Sequence, residues 1–185
     1  TLSSGVCEGE AMPVEGDLTR HIRAIADFPE PGVTFRDITP LLRDPEALGR
    51  AIEAMATPYL RTSLDAVVGM EARGFIFGSL LAQRLQTGFV PLRKPGKLPH
   101  DTHSVSYDLE YGTASLEVHT DAVAPGEAVL LVDDVLATGG TAEASIRLIE
   151  RLRGRVVGCM CLIESAGLGG RTRLADHDVR SLIQY

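Results

Sequence analysis

The stretch "VLLVDDVLATGGTAEAS", Val129 to Ser145, decides how the rest of the chain is read. Its first half is a run of apolar residues closed by Asp133 and Asp134, which reads as a buried strand. Its end reads as a helix. Between them lies Ala137-Thr138-Gly139-Gly140-Thr141. A glycine-rich turn that opens a helix lets the backbone approach a ligand and offers successive N–H groups, to which threonine hydroxyls add donors. That suits one phosphate monoester. It is not a Walker A loop, because no glycine is followed by Lys-Ser or Lys-Thr, and the fingerprint Gly-x-Gly-x-x-Gly is absent. Carboxylates would repel a phosphate that touched them. They can accept hydrogen bonds from neutral hydroxyls, or help order a hydrated Mg²⁺. Ribose 5-phosphate, with an anion at one end and vicinal hydroxyls beside it, satisfies both halves. An isolated Asp-Asp would be a pair of solvated acids at a strand end; the spacing to the glycine turn argues for a site.

Outward from this stretch the pattern repeats. Ala66 to Met70 is a short apolar strand, Glu71 to Gly74 a turn, and Phe75 to Leu85 a helix. Gly88 to Leu92, Gly126 to Asp134, Val156 to Glu164 and Val179 to Tyr185 read as further strands, with helices over 141–153 and about 168–177. Strands alternating with helices predict an α/β fold: a single domain with a mostly parallel twisted sheet flanked by helices. Residues 93–106 are polar, basic and proline-punctuated, so they read as a long loop, a lid rather than a simple joint. Tyr107 to Thr120 alternates about Gly112 and reads as a β-hairpin. Toward the N-terminus, Asp17 could cap a helix carrying Leu18, Ile22, Ile25 and Ala26. Phe28 to Leu42 is a structured loop in which Val33, Phe35 and Ile38 want burial. Pro45 heads a helix reaching Tyr59. Residues 1–16 are expected to be poorly ordered.

The chain has 185 residues, enough for one domain with a sizeable core. The formal net charge of −7 argues against a nucleic-acid surface, so an anionic ligand must be bound by local positive charge. Arg93, Lys94 and Lys97 supply such a concentration. Three cysteines without a C-x-x-C pair speak against a zinc site or disulfide framework, and Cys159 and Cys161 read as buried thiols on one face of a strand. The five histidines have no metal spacing. No apolar run is long enough for a membrane helix, and residues 1–15 lack the pattern of a signal peptide, so the expected compartment is the cytoplasm.

The Val129–Ser145 stretch resembles the phosphoribosyl-pyrophosphate motif of the type I phosphoribosyltransferases. "FPEPGVTFRDITPLLRDP", "GMEARGFIFG", "VPLRKPGKLP" and "YDLEYGTASLEVH" are similar, in order, to segments of the adenine-using members of that family. The resemblance implies transfer of 5-phosphoribosyl from phosphoribosyl pyrophosphate to adenine N9, giving AMP and pyrophosphate in purine salvage. It implies a base-binding hood over about 17–45 and a lid over about 93–113, within a domain covering 17–185. The 5-phosphate would sit on Ala137, Thr138, Gly139, Gly140 and Thr141, and the ribose hydroxyls would face Asp133 and Asp134. Pyrophosphate would lie in the turn Glu71-Ala72-Arg73-Gly74, where a cis peptide is expected at Glu71–Ala72. An arginine fork suits paired phosphate oxygens. Mg²⁺ would be held mainly by substrate oxygens and water near Asp133 and Asp134, with no direct protein ligand assigned.

The resemblance further implies that Arg93 reaches phosphoribosyl pyrophosphate across a homodimer interface, with Lys94, Lys97 and Tyr111 also around that ligand. Backbone groups near Val33 and Arg36 would read the adenine edge, with Phe35 against the ring. Core packing is an equal reading for Phe35. Glu110 would be the acid/base residue near N7, alongside Arg73 in the catalytic set; a desolvated carboxyl can carry such a proton. A xanthine- or guanine-type relative would share Asp133–Thr141 and differ over Phe28–Leu42. A sensing regulator of this fold would be expected to carry a nucleic-acid-binding element or a basic face.

Overall fold

The computed structural model describes residues 14–108 and 113–185. By backbone contact the chain divides into two compact units, one ending at Ala51 and the other running Ile52–Tyr185. The first holds α1 (Val14–Thr19), β1 (Arg23–Ala26), β2 (Thr34–Asp37), α2 (Thr39–Arg43) and the start of α3 (Pro45–Ala56). β1 and β2 pair antiparallel, Arg23 opposite Asp37 and Ala26 opposite Thr34. The predicted single helix through Ala26 therefore stops at Thr19. One turn of helix is marginal by itself, and pairing Arg23–Ala26 with β2 satisfies backbone groups of both segments. Asp17 lies inside α1, where its carboxylate meets Arg20 and, at 2.8 Å, Arg50.

The proline-rich segment is more regular than a loop, since β2 and α2 fall within it. Ile38 is buried as expected, Phe35 is half-buried, and Val33 is exposed. Pro45 heads α3 as predicted. The cap is Asp44, whose Oδ1 accepts the N–H groups of Glu46 and Ala47, each at 3.0 Å.

The second unit contains β3 (Ala66–Met70), α4 (Gly74–Leu85), β4 (Gly88–Leu92), β5 (Thr102–Asp108), β6 (Thr113–His119), β7 (Ala128–Leu136), α5 (Gly140–Arg151), β8 (Arg155–Glu164), α6 (Gly170–Arg173) and β9 (Val179–Gln184). Five strands form a parallel sheet in the order β4-β3-β7-β8-β9. All five residues of β3 are buried, which is why the strand is apolar without alternation. The crossover β3–α4–β4 steps one way along the sheet and β7–α5–β8 the other. Right-handed crossovers then put α4 and α5 on opposite faces. Val68, Leu131, Ile149 and Cys161 belong to one buried cluster of this unit. The strand order reverses between β3 and β7, and in such sheets a crevice opens there at the carboxyl ends.

Three boundaries shift. β7 runs two residues past the acid pair, to Leu136, because Val135 and Leu136 stay paired with Ile163 and Glu164 of β8. The predicted loop over 93–106 ends at Asp101, since β5 begins at Thr102 and pairs with β6 from Thr102↔His119 to Asp108↔Thr113. Ser104 and Ser106 look loop-like, but they alternate with Val105 and Tyr107, which pack on the core. The predicted helix over 168–177 is a 3-10 turn, Ala166–Leu168, followed by the four residues of α6.

Candidate active site

The turn after β7 and the turn after β3 flank the order reversal. Asp133, Val135 to Ala142 and Cys161 line a small cavity of about 70 Å³, so the whole predicted cradle Ala137–Thr141 surrounds one space. Gly139 precedes α5 with φ of 80°, a conformation that a side chain would strain. The N-terminal amides of a helix this long have no intrahelical acceptors and favour an anion. The Thr141 hydroxyl lies 3.4 Å from the Tyr107 hydroxyl and donates to it.

Neighbouring residues of a strand point to opposite faces, and the acid pair behaves so. Asp133 lines the cradle cavity. Asp134 is buried, and its Oδ2 accepts a hydrogen bond from Arg73 Nε. Two residues expected on different parts of one ligand therefore hold each other in the free protein. Asp133 Oδ1 accepts the Asp134 N–H at 2.9 Å. Burial, and after it the charge of Asp134, pushes the Asp133 carboxyl well above the usual carboxylate range. Gly74 lets the β3 turn sit here, since a Cβ would lie 2.8 Å from Val132 O and 3.0 Å from Asp133 Oδ1. The Glu71–Ala72 peptide is cis, as the resemblance implies.

The basic loop after β4 is tied at several points. Glu71 Oε2 accepts the Lys94 N–H at 2.9 Å and Arg93 Nε at 3.2 Å. The Lys94 amide above all holds the Glu71 carboxyl below its usual range, with Arg93 helping. Glu117 Oε2 accepts the Gly96 N–H at 3.0 Å, and Arg93 and Glu117 exchange two backbone bonds, at 3.0 and 2.7 Å. Arg93 Nη1 also donates to the Lys97 carbonyl at 3.2 Å. Glu71, Lys94, Tyr107 and Leu116 help line a cavity of about 410 Å³.

The structure thus brings Glu71, Ala72, Arg73, Gly74, Asp133, Asp134 and Ala137–Thr141 to one end of the sheet, with Arg93, Lys94 and Lys97 on the loop bound to Glu71. Val33, Phe35 and Arg36 belong to the first unit. There Arg36 stands opposite Ala24 on β2, and the Phe35 ring meets Phe28 edge-on at 5.3 Å. Glu110 and Tyr111 lie outside the described residues, as does Cys7. Sequence reading missed Tyr107 and Glu117. Their alternation marked a strand, but only the fold brings one to Thr141 and the other to the basic loop. Cys159 and Cys161 are buried, and burial pushes the Cys159 thiol up to about 12 and Cys161 well above its usual value. Such thiols are inert packing groups. Among the described residues no three His, Cys, Asp or Glu side chains cluster so as to cage a metal ion, and no helix is long and apolar enough to cross a membrane.

Comparison with known proteins fits this geometry. The phosphoribosyl transferase domain family matches residues 41–183. An adenine phosphoribosyltransferase of Rhodopirellula baltica is 55% identical over 169 residues, covering 91% of this chain and 82% of that protein. The crystal structure of an adenine phosphoribosyltransferase from Rhodothermus marinus superposes with a TM-score of 0.88 at 54% identity, over 93% of this chain and 98% of the other. A Saccharomyces cerevisiae adenine phosphoribosyltransferase, solved with adenine and an imino-altritol bisphosphate, gives 0.87 at 35% identity, over 91% and 98%.

Proposed function

The chain belongs to the phosphoribosyltransferases, in their adenine-specific branch, and from that premise we propose how its residues divide the reaction. The enzyme transfers the 5-phosphoribosyl group of phosphoribosyl pyrophosphate to N9 of adenine, releasing pyrophosphate and AMP, a purine-salvage step. The observation that carries the assignment is the meeting of the anion cradle Ala137–Thr141, the acids Asp133 and Asp134, and Arg73 at the carboxyl ends of β3 and β7.

The cradle takes the 5-phosphate through the first amides of α5 and the Thr138 and Thr141 hydroxyls. The acids accept hydrogen bonds from the 2- and 3-hydroxyls. Arg73 and the turn Glu71–Gly74 hold pyrophosphate, with Arg93, Lys94, Lys97 and Tyr111 adding positive charge and donors around it. The C1–oxygen bond to pyrophosphate breaks, the C1–N9 bond forms, and the N9 proton leaves. Positive charge accumulates on the sugar in between, so water must be kept out. Glu110 carries the proton exchanged with the base near N7. Val33, Phe35 and Arg36, on the hood over about 17–45, receive adenine. In single-turnover experiments, Glu110→Gln slows the chemical step with little change in phosphoribosyl pyrophosphate affinity; unchanged chemistry removes Glu110 from this role.

Two adjacent carboxylates, with no third ligand clustered beside them among the described residues, fit a Mg²⁺ that would be coordinated mainly by substrate oxygens and water, beside Asp133 and Asp134. Bound there, it would neutralise pyrophosphate charge. The assembly proposed is a homodimer in which Arg93 serves the partner's site, and the compartment proposed is the cytoplasm. Within the single chain Arg93 pairs with Glu71, so dimer formation would redirect that arginine. Sedimentation tests the dimer. The reaction is tested by supplying phosphoribosyl pyrophosphate, Mg²⁺ and each purine base in turn. AMP from adenine alone is expected, and its absence overturns the proposal.

A further inference from the structure

The last twenty residues carry no chemical motif, yet they press on the phosphate cradle. A Cβ on Gly139 would lie 3.0 Å from Gly170 O and 3.1 Å from Gly170 Cα. A Cβ on Gly170 would run into the Ala137 carbonyl and stand 3.0 Å from the Leu136 side chain. Backbone therefore meets backbone between Gly139 and Gly170 and between Gly170 and Ala137, with only the Leu136 side chain and the Arg173 stem packed beside them. The Ser165 N–H donates to Leu136 O at 2.9 Å on the same side.

Two ion pairs set where α6 stands. Arg171 closes a bidentate fork on Glu164 at the end of β8, with Nε at 2.9 Å from Oε1 and Nη2 at 2.5 Å from Oε2. Its Nη1 donates to Val179 O at 2.6 Å. Glu164 is buried and also accepts the Ser181 hydroxyl at 2.6 Å and the Gln184 amide at 3.2 Å. A buried carboxylate engaged by four donors from its own chain serves as a mount rather than a ligand site. On the other flank Arg173 Nε meets Glu143 Oε2 at 2.7 Å, and Glu143 lies in the first turn of α5, whose amides line the cradle.

We infer that Arg171, Glu164 and Gly170 are positioning residues for 5-phosphate binding, with the C-terminal segment acting as a fixed backstop that sets the shape of Ala137–Thr141. The inference rests on the placement of the 5-phosphate argued above. Its expected reach is selective, because the contacts that carry it fall on the cradle and the first turn of α5.

The test compares Arg171→Ala, Arg171→Lys and Gly170→Ala with the unmodified enzyme. Displacing a binding loop by a fraction of an ångström to an ångström is expected to raise KM for phosphoribosyl pyrophosphate about tenfold or more in Arg171→Ala and Gly170→Ala. The inhibition constant of ribose 5-phosphate should rise by the same factor. KM for adenine and the inhibition constant of pyrophosphate should stay within about twofold, and Arg171→Lys should fall between. Equal losses for all four ligands, or a lowered melting temperature with an unchanged ribose 5-phosphate constant, overturns the inference. If Arg171→Ala does not fold, Gly170→Ala and Arg171→Lys decide the matter by the same readouts. Thr138→Ala serves as the control. If it too leaves ribose 5-phosphate binding unchanged, the placement of the phosphate fails; if it weakens binding while the α6 variants do not, only the backstop fails.

Discussion

Arg73 would do two things with one planar fork. In the free protein its Nε holds Asp134, and in the proposed complex the same group would turn to pyrophosphate. Asp134 thus acts as an internal counter-ion that keeps the guanidinium oriented in the free protein. Truncating a charged partner in a site of this kind costs roughly 2–5 kcal/mol, so Arg73→Ala should lower kcat/KM for phosphoribosyl pyrophosphate about a hundredfold. Arg73→Lys should recover only part of that, because an ammonium lacks the bidentate geometry. Steady-state rates at saturating adenine measure both, and a loss under about threefold in Arg73→Ala removes the residue from the pyrophosphate role. The role proposed for Arg73 came from the family resemblance, and that of Asp134 from its place beside the glycine turn. Their mutual pairing could not, since 61 positions separate them.

At the scale of elements, the basic loop after β4 is a braced structure. Glu71 fastens it from the β3 turn and Glu117 from β6, so its lysines are carried on a backbone held at both ends. Glu117→Ala frees the Gly96 amide while leaving the backbone exchange with Arg93. We expect phosphoribosyl pyrophosphate KM to rise about three- to tenfold with kcat little changed, from looser placement of Lys94 and Lys97. Initial-rate kinetics with varied phosphoribosyl pyrophosphate provide the check, and an unchanged KM would show that the backbone bridge alone sets the loop. This bracing was illegible in the sequence for a simple reason. Thr102–Ser106 reads as loop because its serines and threonine are polar, yet it extends the hairpin strand because β6 lies opposite to pair with it. The same competition turned Arg23–Ala26 from predicted helix into strand, where β2 offered a partner. Ala66–Met70, buried along its whole length, was legible to the residue because nothing but a covered sheet accommodates such a run, and Gly88–Leu92, an edge strand with only Val90 and Leu92 buried, was legible as a short apolar run.

Across the whole molecule, acid stability depends on carboxylates that shift in opposite senses. Glu71 and Glu164 are held below the ordinary value of 4.5 by hydrogen bonds, Glu71 chiefly from the Lys94 amide and Glu164 chiefly from Arg171. Their stabilisation is present above that value and is lost as pH falls through the lowered folded values. Asp133 runs the other way. Burial raises it, so the folded chain holds that proton more tightly than the unfolded chain does, and its contribution is greatest below 3.8 and declines as pH rises. The melting temperature should therefore fall as pH drops below about 4.5, and Glu164→Gln should flatten that limb. Thermal unfolding followed from pH 7 to pH 3 measures the slope; an unaltered limb in Glu164→Gln would show that the fork with Arg171 has no net role in stability.

By itself the sequence determined the α/β architecture, the glycine turn that opens a helix after β7 and the family, because each is written in local chemistry: apolar runs, glycines where a backbone must turn, and acids at a strand end. Tertiary structure alone decided which charges neutralise one another, how far the hairpin strands extend, and how the motif-free C-terminus stands behind Ala137–Thr141. Those outcomes depend on groups far apart in the chain meeting at distances of a few ångströms. Pairing at that range is a property of the folded sheet, not of any window along the sequence.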